Sequence, residues 1–329
     1  MKSNKTNCTV SEIVATARIY ALISVLCAHL TFDNSVVGFT FGRIGTIGVI
    51  VFLISSGYYF IPAKFKSYGE LIKKKSKSIC IPWLVLGSLV WVYNIILSPK
   101  FRSPIGYLKW IFGNGTYLYY VPILLLCFLV LYKASQKILV SAIAINVISV
   151  LLTAAGVLEP IIEALHITNF LNVFNWIGYF ALGMLLQKIN EKNIVEFLFK
   201  MRWLVIALFI GCVVLAVLLK NVNFTYFSYV AIPYQLLGCL AVFALSTLPL
   251  VRAKLFRCLS ECSYATYLTH MVFIGLLDSI LAKTLFLQIM SPLIIIMILF
   301  VVFMIGATIS QKIKLDKIYC LLTGLRIKL

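Results

Sequence analysis

Apolar residues along the chain come in ten long blocks that are separated by short polar segments. A block of about 20 mainly apolar residues crosses the roughly 30 Å hydrocarbon core of a bilayer as one helix. The pattern therefore predicts ten transmembrane helices and an all-α, polytopic membrane protein. The predicted spans are residues 13–32, 44–61, 79–98, 117–132, 137–157, 170–187, 203–220, 228–249, 263–282 and 290–310. The fourth is short and the sixth carries Asn172 and Asn175, so these two are the least typical.

Basic residues are distributed unevenly over the polar segments. With both termini placed in the cytoplasm, the inner segments hold 23 of the 29 Lys and Arg residues and the outer segments hold 6. Cytoplasmic loops of membrane proteins carry such an excess of Lys and Arg. The charge pattern thus favours an even number of spans with the N- and C-termini in the cytoplasm.

The composition agrees with a membrane protein, because 62% of the residues are hydrophobic and 12% are charged. A soluble domain has about 45–50% apolar and about 25% charged residues. The net charge of +19 would indicate a nucleic-acid partner in a soluble protein. Here the bias towards cytoplasmic loops explains it, so the lipid bilayer is the predicted partner and no nucleic acid is expected.

The polar segments are all short, which predicts a single integral-membrane domain over residues 1–329 without an appended soluble domain. No small-residue cleavage site follows the first apolar block, so we expect that span to be uncleaved. The nine cysteines include no C-x-x-C pair and lack a neighbouring cluster of His or acidic residues. No metal site is predicted.

Two ionisable residues lie in the first span. Arg18 and His29 are eleven residues apart, which puts them on one helix face and about 16 Å apart along the axis. Ionisable groups inside a span are costly and are candidates for function. Each also has a structural interpretation, since Arg18 can extend to the inner interface and His29 can be an interfacial or core histidine. Asp33 is a candidate to fix the tautomer of His29, or a solvated loop residue.

The ninth span carries a second polar face. Ser263, Tyr267 and His270 follow the i, i+4, i+7 spacing of one helix face. A face with three hydrogen-bonding groups is expected to point into the helix bundle rather than towards lipid. Asp278, further along the same span, is a candidate for a buried charge.

The basic segment at residues 73–77 precedes Pro82 and Trp83. Lys74, Lys75 and Lys77 can simply mark a cytoplasmic loop that contacts anionic lipid headgroups. The functional alternative is a surface that binds the phosphates of a cytoplasmic cofactor.

Six segments in order resemble motifs of the acyltransferase-3 family of multi-pass membrane acyltransferases. The resemblance covers roughly residues 18–270, and the family is similarly built from ten spans with both ends inside. The segments are Arg18 and His29 with ten residues between them, VFLISSGY at 51–58, the lysines before IPW at 81–83, Asn114-Gly115 with YYVP at 119–122, the glycine-containing stretch 178–186, and SYATYLTH at 263–270.

The resemblance implies transfer of an acyl group, usually acetyl from acetyl-CoA, to a hydroxyl of a cell-envelope glycan or glycolipid acceptor. Carried over by position, Arg18 would help to bind acyl-CoA, and His29 would be the catalytic base, with Asp33 beside it. Lys74, Lys75 or Lys77 would bind the CoA phosphates. The expected substrate-pocket residues, which shape the core or polarise the thioester carbonyl, are Ser56, Tyr119, Ser263, Tyr267 and His270.

The sequence departs from the family pattern at two places. The family's inner loop commonly reads Arg-x-x-Arg, and alignment on Pro82 puts Lys75 and Ser78 at those positions. Lysine binds phosphate as a point charge and lacks the bidentate fork of arginine. The frequent H-x-W of the fourth span is Tyr117-Leu118-Tyr119 here, which leaves the acceptor class open.

Two alternatives remain at this level. Ten spans with scattered polar groups also suit a transporter or exporter of an envelope saccharide, although we find no inverted repeat between the two halves of the sequence, which many transporters show. A binding or sensing module without turnover is the other alternative. The sequence does not predict the acceptor or the oligomeric state, and a bacterial plasma membrane is the expected location.

Overall fold

The computed structural model describes residues 9–30, 32, 35–97, 102–219, 225–248 and 254–325. Within these residues all regular secondary structure is helical. The α-helices are α1 Val10–His29, α2 Val36–Ile44, α3 Gly48–Tyr58, α4 Tyr68–Lys75, α5 Ile81–Leu97, α6 Pro104–Ile111, α7 Tyr120–Val130, α8 Gln136–Ala154, α9 Glu159–Ala164, α10 Ile177–Leu186, α11 Glu191–Leu218, α12 Ala231–Leu245, α13 Lys254–Leu281, α14 Leu285–Lys312 and α15 Asp316–Thr323.

Helical segments overlap all ten predicted spans. Among the described residues, seven helical segments are long and apolar enough to cross a membrane, and the segments Tyr117–Val130, Ile177–Leu186 and Ala231–Leu245 are shorter apolar helices. The prediction of an all-α polytopic membrane protein is confirmed. The number of crossings and the cytoplasmic side of both termini stay predictions.

The second span is broken between α2 and α3, and a side chain of α1 satisfies the break. The buried Ser24 hydroxyl donates to the carbonyl oxygen of Ile44 at 2.6 Å and accepts from the N–H of Gly48 at 2.8 Å. Backbone groups that leave a helix ladder at membrane depth need such partners, because hydrocarbon offers none. This exchange of hydrogen bonds ties the second span to α1.

The sixth span begins as an α-helix at Ile177, later than the predicted start at residue 170. Two short 3-10 turns precede it, and their polar side chains bond to α8. The carboxamide oxygen of Asn175 accepts from the hydroxyls of Ser149 at 2.6 Å and Thr153 at 3.3 Å, and the amide of Asn172 donates to the Ser149 hydroxyl at 3.1 Å. The two asparagines that made this span atypical therefore hold an irregular segment against the bundle.

Close backbone contact joins α3 to α10. A Cβ atom at Gly183 would lie 2.1 Å from the carbonyl oxygen of Ile54, and one at Gly57 would lie 2.0 Å from that of Phe180. Small residues at helix interfaces allow this approach within a membrane. Helix α1 packs against α3 on one side and α13 on another, so the polar residues of the first, second and ninth spans share the centre of the bundle.

Candidate active site

A cavity of about 290 Å³ lies between α1, α3, α7, α13 and the turn that precedes α5. Two cations line it, Arg18 from α1 and Lys75 from the end of α4, beside one carboxylate, Glu261. Aromatic rings hold both cations. The Lys75 ammonium lies 3.4 Å from the ring centroid of Phe128, and the Arg18 guanidinium lies 5.6 Å from that of Tyr59. Cations held over ring faces gain electrostatic stabilisation, which keeps them in the cavity wall.

The lysines of the basic segment separate into different environments. Lys75 lines the cavity and is half-buried, whereas Lys77 is exposed. Lys74 is also exposed, and its ammonium pairs with the carboxylate of Glu70 at 2.8 Å. Ser78 lines the same cavity as Lys75. Both positions that align with the Arg-x-x-Arg pattern therefore face the cavity.

A π-helical turn at Ser76–Cys80 connects α4 to α5. Proline has no N–H to donate and its ring clashes with the preceding turn, so Pro82 explains why the regular helical ladder is interrupted here. The N–H of Ile81 donates to the carbonyl oxygen of Ser76, and the Tyr264 hydroxyl donates to that of Ile79 at 2.9 Å. The Tyr264 bond fastens the turn to α13 and forms one wall of the cavity.

Two histidines meet at the other end of the site. His29 ends α1 and is half-buried, and His270 on α13 is fully buried. Their ring centroids are 5.2 Å apart. The ring of Tyr117 packs edge-on against both, at 4.9 Å from His270 and 6.2 Å from His29. This group of three side chains joins the first, fourth and ninth spans.

The surroundings of His270 fix its neutral tautomer. Its Nδ1 lies 2.6 Å from the carbonyl oxygen of Tyr267. A carbonyl oxygen only accepts, so Nδ1 carries the hydrogen and, in a neutral imidazole, Nε2 carries the lone pair. Within the described part of the chain, Nε2 is buried and has no hydrogen-bond partner. A buried acceptor beside the His29 ring is thereby available to a proton donor.

Tyr267 connects the cavity with the histidine pair. It lines the cavity, and its ring centroid lies 5.9 Å from those of both Tyr117 and His270. Its hydroxyl donates to the carbonyl oxygen of Tyr117, and the Tyr117 hydroxyl donates to that of Leu268 at 2.6 Å. These reciprocal bonds hold α13 against the start of α7. Tyr267 therefore lies between the cationic cavity and the two histidines, neither of which lines that cavity.

A family model described as an acyltransferase domain, that of the acyltransferase-3 family, matches residues 14–311. The chain belongs to the acyltransferase-3 family. No curated protein and no solved structure matches it significantly. Family membership and the apolar helices together support a multi-pass membrane acyltransferase.

The other expected pocket residues of this acyltransferase-3 chain fall into two groups. Ser56 and Ser263 line the cavity, and the Ser263 hydroxyl donates to the carbonyl oxygen of Ser260 at 2.7 Å. Tyr119 lies outside the cavity lining, in an aromatic cluster with Phe170 at 4.7 Å and Trp176 at 5.5 Å between ring centroids. The expectation that Tyr119 lines a substrate pocket finds no support in this placement, because Tyr119 directs its ring towards the 3-10 turns before α10.

Two further candidates from the sequence are the acidic residues Asp33 and Asp278. Asp33, expected beside His29, is outside the described residues. Asp278 is exposed towards the end of α13, so its interpretation as a buried charge was wrong.

Tyr117 is the site residue that sequence reasoning passed over. It occupies the first position of the segment that aligns with H-x-W, and this alignment could have indicated Tyr117 as a site residue. Only packing between spans reveals that Tyr117, rather than Tyr119, contacts the two histidines.

Proposed function

We propose that this protein transfers an acyl group, in the first instance acetyl, from cytoplasmic acyl-CoA to a hydroxyl of a cell-envelope glycan or glycolipid in the bacterial plasma membrane. The observation that carries the proposal is that one uninterrupted helix, α1, bears a cation in a polar cavity and a histidine that packs against the buried His270. The two groups are about 16 Å apart along the helix axis, a distance that suits the long pantetheine arm of CoA.

The cavity supports binding of the donor. Arg18 and Lys75 put two positive charges against one carboxylate in its wall. Hydrogen bonds between cations and phosphate oxygens are shorter and stronger than neutral ones. In our topology this end faces the cytoplasm, where acyl-CoA is present. Arg18 and Lys75 would hold CoA phosphates, and the pantetheine arm would extend past Tyr267 towards His29.

The histidine pair supports the chemical step. The acceptor hydroxyl gives its proton to a ring nitrogen of His29, and its oxygen attacks the thioester carbonyl carbon. The C–S bond then breaks, and the CoA thiolate leaves and takes up a proton. An O-acyl ester and CoA are the products. A positioned base of this kind contributes about 10²- to 10⁴-fold to a rate. The unpartnered Nε2 of His270 would accept a hydrogen bond from the His29 ring and orient it.

Transfer of label tests the proposal directly. Membranes that contain the protein are incubated with acetyl-labelled acetyl-CoA, and lipid-linked and polymeric glycans are separated and counted. We expect label in a glycan fraction as an alkali-labile ester. Absence of labelled glycan, together with absence of CoA binding in a thermal-shift assay, would refute acetyl transfer by this protein.

Substitution of single lysines tests the donor site. Lys75→Gln is expected to raise KM for acyl-CoA by roughly 10- to 100-fold, because one hydrogen bond to a charged group is worth about 1.5–3 kcal/mol. Lys74→Gln is the matched control, since Lys74 is exposed and paired with Glu70, and it should change KM less than about threefold. Initial rates over a range of acyl-CoA concentrations measure both. Equal KM values for the two variants would contradict the assignment of Lys75.

A further inference from the structure

A second cavity, of about 340 Å³, lies between the ends of α1, α3, α10, α11 and α12. Successive residues of α3 divide the two cavities, because Ser55 lines this one and Ser56 lines the cationic one. The wall of the second cavity is almost entirely hydrocarbon. Its lining includes Val14, Ile54, Leu186, Phe197 and Leu240. The cationic cavity already accounts for the donor, so the apolar one is unassigned.

The chemistry of the wall indicates which kind of molecule the second cavity binds. An ordered water needs two to four polar partners, and the wall offers few. Tyr58 is already engaged, because its hydroxyl donates to the carboxylate of Glu191 at 3.4 Å. Ser55 is different, since its side chain is 1% exposed and its hydroxyl has no partner in the described part of the chain. An apolar wall with one buried, unsatisfied hydroxyl fits a hydrocarbon chain that carries a single acceptor near one end.

The position of the cavity along α11 places it at the membrane surface. Helix α11 has 28 residues, about 42 Å at 1.5 Å per residue, which exceeds the roughly 30 Å hydrocarbon core. The charged residues of α11 all lie in its first twelve positions, and Asn193, Ile194 and Phe197 from this part line the cavity. The cavity therefore lies at the interfacial end of α11, which is cytoplasmic in our topology.

Cations flank this end of the cavity. Lys188 lies between the lining residues Leu186 and Ile189, and Lys192 precedes the lining residue Asn193. Both lysines are exposed. A basic residue near the inner membrane surface attracts anionic lipid with about 1 kcal/mol. Two carboxylates, Glu191 and Glu196, lie on the same stretch, and that of Glu191 accepts from the Tyr58 hydroxyl. The two exposed lysines are the cationic donors that this stretch offers to an anionic headgroup.

We infer that the second cavity binds one acyl chain of an anionic phospholipid, with the headgroup beside Lys188 and Lys192. The ester carbonyl at the headgroup end of that chain accepts the hydrogen bond that the Ser55 hydroxyl lacks. The chain also fills the space beside a small apolar cluster of α1 and α11 that is separate from the main core. That cluster consists of Val10, Ile13, Val14, Val195 and Leu198. The bound lipid therefore stabilises the packing of α11 on α1, whether or not the protein transfers acyl groups.

Thermal unfolding of the purified protein tests the inference without any activity assay. In an uncharged detergent, added dioleoylphosphatidylglycerol is expected to raise Tm by at least about 3 °C, because a ligand that binds only the folded state stabilises it. Dioleoylphosphatidylcholine should raise Tm less. Leu240→Trp fills the cavity and should remove the response to phosphatidylglycerol. Leu208→Trp, at a position 51% exposed on the neighbouring helix α11, is the control and should keep it.

Photo-crosslinking of the wild type covers the case in which Leu240→Trp fails to fold. Phosphatidylglycerol with a photoreactive acyl chain should label peptides from residues 186–198, and Lys188→Gln combined with Lys192→Gln should reduce that labelling. Equal stabilisation by the two phospholipids would overturn the headgroup assignment. Labelling spread evenly over the exposed helices would overturn the binding site. Stabilisation by a polyisoprenyl phosphate in place of phosphatidylglycerol would overturn the assignment of a phospholipid chain.

Discussion

Membranes that contain the His29→Ala variant are expected to transfer label from acetyl-CoA to glycan about 10²- to 10⁴-fold more slowly than the wild type. The imidazole ends α1 beside His270 and Tyr117, and alanine provides no group that can take the proton of the acceptor hydroxyl. His29 is half-buried and is the last residue of α1, and the rings of His270 and Tyr117 keep their own contact without it. Its removal should therefore leave expression and folding intact. Label transfer and size-exclusion profiles of the two proteins measure both expectations.

The chain offers a matched control for this variant. His166 is exposed in a loop and has a positive φ of 52°, a conformation that asparagine tolerates. His166→Asn removes an imidazole without touching the site and should retain activity within about twofold. If His29→Ala transferred label at a rate within about threefold of the wild type, His29 would not be the base, and the proposed chemical step would be wrong.

The second large effect is expected for His270→Leu, which should lower kcat by about 10²-fold and leave KM for acyl-CoA nearly unchanged. The cationic cavity, where we propose that acyl-CoA binds, does not include His270, so its affinity for acyl-CoA should not weaken. We expect the loss in the chemical step, because the variant lacks the buried Nε2 that we propose as the group that orients His29. A leucine of similar volume keeps the space filled, which limits the cost in stability.

Two further variants separate orientation from packing. His270→Gln restores a polar group near the position of Nε2 and should recover part of the lost kcat. Thr269→Val changes the preceding residue of α13, whose hydroxyl donates to the carbonyl oxygen of Ala265 in the same helix at 2.9 Å, and should have little effect. Equal activity of the Gln and Leu variants would show that His270 acts through packing. A KM increase that accounts for the whole loss would place His270 in donor binding.

The cationic cavity and the histidine pair lie towards opposite ends of α1. The cationic cavity lies at the end of α1 that our topology assigns to the cytoplasm, and the histidines lie at the opposite end. A donor from the cytoplasm and an acceptor from the outer side would then approach from the two ends of one helix. The Lys75 variant perturbs one end and the His29 variant the other. A KM effect at the first and a kcat effect at the second would establish that these ends have separate tasks.

The sequence alone determined the class of protein and the residues that share a helix face. The length and apolarity of the blocks require helices in a bilayer. The spacings from Arg18 to His29 and from Ser263 to His270 put each pair on one helix face, because helix periodicity alone decides this. The motif order also indicated the family, which the family model confirms. These features are local along the chain, so no knowledge of neighbouring helices is needed.

Only the tertiary structure decided which helices meet and which side chains share a cavity. The sequence alone does not distinguish Lys74, Lys75 and Lys77 from one another. In the structure, Lys75, which directly precedes the π-helical turn, lines the cationic cavity. Tyr117 and Tyr119 are two residues apart, yet one contacts the histidine pair and the other an aromatic cluster. The pairing of His29 with His270 joins residues 241 positions apart in the chain. Such contacts arise from the packing of whole helices, through glycine contacts and buried hydrogen bonds, and helix periodicity carries no information about them.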